Sequence, residues 1–102
     1  MAKGPESKVK GAVKAFLTAR GAWFYMPVLT GYGISTLDFI GCYKGRFFAI
    51  ETKAPGKKPT PRQSLTIEQI GSHGGQVFVI DSVDRVETTL WPWFTHVAVH
   101  GA

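Results

Sequence analysis

The sequence predicts a single α/β domain in which a central mixed sheet is flanked by helices. Its residue patterns follow the order α-β-β-β-α-β. Its 102 residues, of which 44% are hydrophobic, suit one core of modest size. We therefore expect one domain over residues 1–102. Its core should cover about residues 6–81, and a C-terminal helix with an aromatic tail should occupy residues 82–102.

The first helix and the first strand are indicated by their residue spacing. Pro5 suits a first helical turn and Gly21 ends the helix, while apolar residues recur between them at helical spacing: Val9, Val13, Phe16 and Leu17. Residues 22–28, AWFYMPV, predict a strand. The glycine-rich loop TGYGIST follows and leads the chain to Asp38.

Residues 38–53, DFIGCYKGRFFAIETK, predict a hairpin that turns at Lys44-Gly45. The residue numbers of two paired residues then add up to 89, so Asp38 lies opposite Glu51. Both side chains are on one face of the hairpin, and Lys53 is on the same face. Like charges so placed destabilise the hairpin unless a proton or a cation lies between them. We predict a hard cation, Mg²⁺ or Mn²⁺, because both prefer oxygen ligands. The alternative is an ordinary strand with a charged edge.

The next two elements are predicted from capping and from hydrophobicity. Residues 60–73 form a helix whose first residues make a capping box, with Thr60 at the N-cap and Gln63 three residues later. Residues 76–80, QVFVI, are a short apolar run typical of a strand buried on both faces.

The C-terminal segment leaves two possibilities open. Ser82 suits the N-cap of a final helix from 83 to about 90, which WPWF interrupts. Large apolar residues follow or lie within that interruption: Trp91, Trp93, Phe94 and Val97. They either form a contact between two copies of the chain or fold back onto its own sheet.

Charge indicates a polyanionic partner. The net charge is +5, and residues 1–67 hold eleven of the twelve Lys and Arg residues with only three acids. Nucleic acid is the usual partner of such a surface, although a basic surface also serves solubility alone. The candidate nucleic-acid-binding residues are Lys10, Lys14, Tyr32, Lys57, Lys58 and Arg62.

Other classes of protein are disfavoured by the composition. No apolar stretch approaches the roughly 20 residues that cross a membrane. The single cysteine, Cys42, cannot form an internal disulfide, and we expect it to pack as a small hydrophobic residue. The three histidines have no evident partner for catalysis or metal binding.

The stretch LDFIGCYKGRFFAIETKAPGKKPTPRQ resembles the core of the PD-(D/E)XK nucleases, with Asp38 as the motif Asp and Glu51-Thr52-Lys53 as its E-x-K. The order of Glu6 on a leading helix, a glycine-containing loop, IETK and Gln63 is more closely similar to the VRR-NUC nucleases. This likeness covers about residues 6–81 and implies a restriction-endonuclease-like core. Two positions depart from the usual pattern: Leu37 replaces a proline, and Thr52 replaces a valine.

The resemblance also implies roles for residues. Glu6, Asp38 and Glu51 would bind the metal, Lys53 would act at the attacking water, and Gln63 would support the site from the second helix. Glu6 projects from nearly the same side as the apolar stripe, but it also suits the positive end of the helix dipole. For Gln63, we interpret the capping box and the site role as mutually exclusive.

The implied activity is that of a Mg²⁺- or Mn²⁺-dependent endodeoxyribonuclease. Stand-alone VRR-NUC nucleases occur in bacteria and phages and resemble Holliday junction resolvases, which implies a cytoplasmic homodimer that cuts branched DNA during repair, recombination or phage DNA processing. Two other functions fit the sequence as well. One is a non-catalytic nucleic-acid-binding module, and the other is a homodimeric structural or assembly protein.

Overall fold

A computed structural model of the chain describes residues 4–28 and 36–101. Three helices and four strands follow one another: α1 Pro5–Arg20, β1 Trp23–Tyr25, β2 Phe39–Tyr43, β3 Arg46–Thr52, α2 Pro61–Ser72, β4 Gln76–Ile80 and α3 Arg85–His100. The sheet order is β1-β2-β3-β4; the first three strands are antiparallel, and β4 is parallel to β3. The predicted α-β-β-β-α-β order and the mixed sheet are confirmed.

The predicted hairpin register is confirmed over β2 and β3. All five pairs sum to 89, from Tyr43 with Arg46 to Phe39 with Ile50. Lys44 and Gly45 turn the chain with φ angles of 49° and 85°. Two consecutive positive φ angles are typical of the two-residue turn that matches the twist of an antiparallel pair. Asp38 precedes the first paired residue, so it is placed by the hairpin without being part of the ladder.

One face of the sheet packs against α1 and α3. Phe39, Phe48, Ile50, Phe78 and Ile80 lie on this face because they alternate along their strands and share the register. The helices contribute the rest of the core, namely Val9, Val13, Phe16 and Leu17 from α1 and Val86, Leu90, Phe94 and Val97 from α3. The hydrophobic core therefore includes residues of the C-terminal helix.

The expectation that the final helix ends at WPWF was wrong. α3 continues through Pro92 to His100, and its N-cap residue is Asp84 rather than Ser82. A proline inside a helix costs about 3 kcal/mol. Burial of Leu90, Phe94 and Val97 outweighs this cost, because each buried side chain of this size contributes about 1.5–3 kcal/mol. The C-terminal segment thus folds back onto its own sheet.

Aromatic contacts show how α3 is held. The ring of Phe94 lies 4.9 Å from that of Tyr43, 5.3 Å from Phe48 and 5.4 Å from Phe16, measured between centroids. Contacts at these distances add about 0.5–1.5 kcal/mol per pair beyond burial. Phe94 therefore joins α1, the hairpin and α3.

The other face of the sheet is covered only in part. α2 packs there, but none of its residues is fully buried. The expectation that β4 is buried on both faces was wrong, because β4 is an edge strand and Val79 on this face is 41% exposed. Beside the helix an apolar surface remains open, which we call the open face: Trp23, Tyr25, Cys42 and Phe47. Cys42 is thus exposed, contrary to the expectation that it is packed.

None of the helices within residues 4–28 and 36–101 is long and apolar enough to cross a bilayer.

Candidate active site

The candidate site lies at the end of the sheet where β2 begins and β3 ends. Asp38 immediately precedes β2, while Glu51 and Thr52 are the last two residues of β3. Glu51 and Thr52 are buried, with 2% and 0% of their surface exposed. Lys53 follows, and its backbone N–H continues the ladder by donating to the carbonyl of Ile80. Four polar side chains therefore meet at the edge of an apolar core.

Asp38 is held by contacts from β3 and from α1. Its backbone N–H donates to Glu51 Oε1 at 3.2 Å. Its carboxylate oxygen Oδ2 accepts from the backbone N–H of Thr52 at 3.0 Å and from the Thr52 hydroxyl at 2.5 Å. The other oxygen, Oδ1, lies 3.7 Å from Lys10 Nζ of α1. The Asp38 side chain thus takes over a backbone donor of β3 at the point where the ladder with β2 stops.

Glu51 is the most buried charged residue of the site. Its Oε2 accepts from Gln63 Nε2 at 2.7 Å and lies 3.3 Å from Lys53 Nζ. Burial raises the pKa of Glu51 above its usual value of 4.5, and the negative charge of Asp38 raises it further. The hydrogen bond and the charge of Lys53 act in the opposite direction. The unfavourable placement of two acids is therefore real and only partly relieved by the lysine.

Gln63 has both roles that the sequence analysis treated as mutually exclusive. Its Oε1 accepts from the backbone N–H of Thr60 at 3.0 Å, and the Thr60 hydroxyl accepts from the backbone N–H of Gln63. This is the predicted capping box. At the same time its Nε2 donates to Glu51. The interpretation was wrong because an amide side chain has an acceptor and a donor at separate atoms.

The carboxylates of Asp38 and Glu51 suit a Mg²⁺ or Mn²⁺ ion. Mg²⁺ is commonly bound by one or two carboxylates and several waters. Within residues 4–28 and 36–101, no group of three His, Cys, Asp or Glu residues is arranged to hold a metal. Glu6 is exposed in the first turn of α1, one turn before Lys10, and the structure does not bring it into a group with the other two acids. Its role as a ligand stays a prediction.

The predicted nucleic-acid-binding residues have different surroundings. Lys14, Lys57, Lys58 and Arg62 are exposed, and the last three lie on the link from β3 to α2 and on its first turn. Lys10 instead has 35% of its side chain exposed and faces Asp38. Tyr32 lies outside the described residues.

Two contacts of the site were not foreseen from the sequence. The hairpin register places Thr52 one position past the partner of Asp38 and so on the opposite face of the strand, which gave no sign that its hydroxyl would reach the Asp38 carboxylate. The contact of Lys10 depends on how α1 crosses the sheet, and helical spacing alone does not define that.

Comparisons with known proteins bear on the fold. No family model matches the sequence, and no similar curated protein was found. Among solved structures, the chain is similar to a protein described as "VRR_NUC domain", with a TM-score of 0.76 and 23% sequence identity over 87% of this chain and 97% of that chain. The predicted restriction-endonuclease-like arrangement is confirmed: this chain has the fold of a VRR_NUC domain.

Proposed function

We propose that this chain is a nuclease that hydrolyses DNA phosphodiester bonds with the help of Mg²⁺ or Mn²⁺. The observation that carries the proposal is the place of Glu51 at the sheet edge: its carboxylate accepts from the backbone N–H of Asp38 and lies 3.3 Å from the ammonium of Lys53. A solved structure with the same fold is described as a VRR_NUC domain, which agrees with this activity. The basic charge of the chain suits a DNA substrate.

Each residue of the site has a distinct task in this proposal. Asp38 and Glu51 would hold the ion through their carboxylate oxygens, and Gln63 would keep the Glu51 carboxylate in place through the hydrogen bond from its amide. When bound, such an ion would supply Lewis-acid chemistry, which lowers the pKa of a water and offsets negative charge on the phosphate. Lys53 would orient the attacking water and would stabilise the charge that develops on the phosphate.

The basic residues outside the site would hold the DNA backbone. Lys57, Lys58 and Arg62 are exposed on the segment that follows Lys53, and they would contact phosphates next to the one that is cut. Lys14 would contribute from α1, two helical positions beyond Ala12 and one turn after Lys10. These contacts would contribute affinity without reading the sequence of bases.

The proposal is tested by a cleavage assay with the purified chain. Labelled branched, flapped and linear DNA would be incubated with Mg²⁺, with Mn²⁺ and with EDTA. We expect cleavage that requires the metal, and we expect Lys53→Ala to lose at least about 100-fold in rate, in line with loss of a positioned catalytic group. Lys44→Asn is the matched control, since Lys44 lies at the hairpin turn away from the site and asparagine tolerates its positive φ.

Two results would contradict the proposed nuclease activity. If the native chain cuts none of these substrates, or if Lys53→Ala cuts as fast as Lys44→Asn, the mechanism fails. Tight DNA binding without cleavage would instead support the non-catalytic nucleic-acid-binding module.

We further propose that the chain acts on branched DNA as a homodimer in bacterial or phage-infected cells. Phe94 and Val97 of α3 do not support a dimer, because both are buried in the core of one chain. The open face is the better surface, since Trp23 is 64% exposed and Phe47 is 43% exposed. A groove of about 470 Å³ lies beside Phe47 and extends this apolar surface toward Ile70 of α2.

A second copy on the open face would leave the acids accessible. Phe47 precedes Glu51 by four residues of β3, which corresponds to about 13 Å at the usual rise of a strand. Light scattering after size-exclusion chromatography should therefore give a dimer for the native chain and a monomer for Trp23→Glu. Val99→Glu, on an exposed residue of α3, is the control and should remain a dimer. A native monomer would refute the dimer but not the nuclease.

A further inference from the structure

Thr52 makes an unusual pair of contacts with Asp38. Both its backbone N–H and its hydroxyl donate to the same carboxylate oxygen, Asp38 Oδ2, at 3.0 and 2.5 Å. The Thr52 side chain is completely buried, at 0% exposure. A buried hydroxyl needs a partner, and here the partner is the carboxylate.

These contacts fix the orientation of the Asp38 side chain. Hydrogen bonds to a carboxylate are short and strong because the acceptor is charged. Two donors on Oδ2 prevent the carboxylate from rotating, so Oδ1 keeps its place next to Lys10 and the site. A valine at position 52 would have nearly the same shape and would keep the backbone donor, but it would lack the hydroxyl.

We infer that Thr52 is a positioning residue, whose hydroxyl holds the Asp38 carboxylate in the orientation that binds the metal ion. This inference rests on the proposed nuclease function. Thr52 itself would touch neither the ion nor the DNA, since its side chain has no exposed surface. Outer partners of this kind typically change metal affinity or activity by about 10- to 100-fold when they are removed.

The test compares Thr52→Val, which removes only the hydroxyl, with Thr52→Ser, which restores it. Mn²⁺ affinity would be measured by electron paramagnetic resonance without DNA, and kcat and KM would be measured on the DNA that the native chain cuts. We expect Thr52→Val to bind Mn²⁺ about 10- to 100-fold more weakly and to lose kcat with an unchanged KM for DNA. Thr52→Ser should recover most of both losses.

A structural measurement separates this inference from the nuclease proposal. In a crystal structure of Thr52→Val grown with EDTA, the Asp38 carboxylate should leave the position that it has in the native chain. If it keeps that position, or if Thr52→Val equals the native chain in Mn²⁺ affinity and kcat, the role of Thr52 is refuted while the nuclease stands. If the native chain neither binds Mn²⁺ nor cuts DNA, the proposed nuclease activity is refuted. The crystal structure of Thr52→Val then tests by itself whether the Thr52 hydroxyl orients the Asp38 carboxylate.

Folding of the variants needs its own control. Thermal unfolding with EDTA would show whether each variant is folded before any affinity is measured. If Thr52→Val does not fold, Thr52→Ala and Thr52→Ser form a second pair that differs only in the hydroxyl. The same measurements then apply to that pair, and equal Mn²⁺ affinities would refute the inference.

Discussion

Substitution of Gln63 by glutamate separates its two contacts. Glutamate also serves in capping boxes, so its carboxylate would still accept from the backbone N–H of Thr60. The amide nitrogen that donates to Glu51 Oε2 at 2.7 Å would become a second carboxylate oxygen. We therefore expect Gln63→Glu to preserve the start of α2 and to destabilise the site.

The free energy of unfolding that Gln63→Glu should lose is larger than the free energy lost when a helix cap is removed. A hydrogen bond to a charged group contributes about 1.5–3 kcal/mol. Repulsion between two carboxylates adds up to about 4 kcal/mol at 4 Å in a partly buried setting, but binding of a proton between them limits this cost. We expect a net loss of about 2–4 kcal/mol near pH 7. By contrast, Thr60→Ala removes a cap and should cost about 1 kcal/mol.

The free energy of unfolding lost by Gln63→Glu should increase as the pH rises. The folded-state pKa of Glu51 is already raised above 4.5, and a second carboxylate would raise it further. Stability from such a group is present below its unfolded pKa and is lost as the pH rises through the folded pKa. The stability difference between Gln63→Glu and the native chain should therefore be small at pH 4 and should grow toward pH 8.

Urea unfolding in EDTA measures this difference. The native chain, Gln63→Glu and Thr60→Ala would be compared at several pH values, with Thr60→Ala as the control for the cap. Thr60→Ala should lose the same free energy of unfolding at each pH. If Gln63→Glu behaves like Thr60→Ala throughout, the contact between Gln63 and Glu51 does not contribute to stability and the reasoning above is wrong.

Three more predictions follow from the core and from the charges. Phe94→Ala should lose about 3–5 kcal/mol in urea unfolding because it leaves a cavity among aromatic rings, whereas Val99→Ala on the exposed side of α3 should lose less than about 0.5 kcal/mol. Because the pKa of Glu51 is raised, the free energy of unfolding of the native chain in EDTA should fall as the pH rises above 4.5. Mn²⁺ at 100 times its Kd should add about 2.7 kcal/mol to that free energy near neutral pH. Equal melting curves with and without Mn²⁺ would contradict the stabilisation by the ion. Lys10→Met should tighten Mn²⁺ binding by up to about fivefold, because binding to Asp38 would no longer displace an ion pair, and calorimetry showing weaker binding would contradict that view.

Strand register was the part of the site that the sequence could predict. A two-residue turn and a period of two determine which residues of a hairpin lie opposite one another, so counting placed Asp38 beside Glu51, where the Asp38 backbone N–H donates to the Glu51 carboxylate. The orientation of the Asp38 carboxylate did not follow from counting. It depends on where the ladder stops, since Asp38 bonds Thr52 only because it lies outside the paired residues.

The end of the chain was harder to predict for a different reason. Local rules correctly identify Pro92 as unfavourable inside a helix, and they ended the predicted helix there. The structure gains more from burying Phe94 and Val97 against the sheet than it loses at the proline. A tertiary contact of this kind involves residues far apart in sequence, such as Phe16 and Phe94, and no local pattern reports it.

The charges of the site indicate how metal and DNA would depend on each other. Asp38 and Glu51 face Lys10 and Lys53, so these four charges sum to zero. Under the proposed function, a divalent ion would leave two positive charges in a partly buried place, and the phosphates of DNA would compensate them. Each ligand would then make the other easier to bind, by the reciprocity of coupled binding. Of the two lysines, Lys10 would leave its carboxylate more easily when the ion binds. Its ion pair with Asp38 is longer, at 3.7 Å, than that of Lys53 with Glu51, and its side chain is more exposed. The ion pair in the structure and the predicted contact of Lys10 with DNA are therefore compatible: the ion would take over the charge of Asp38, and the ammonium would become free to bind a phosphate.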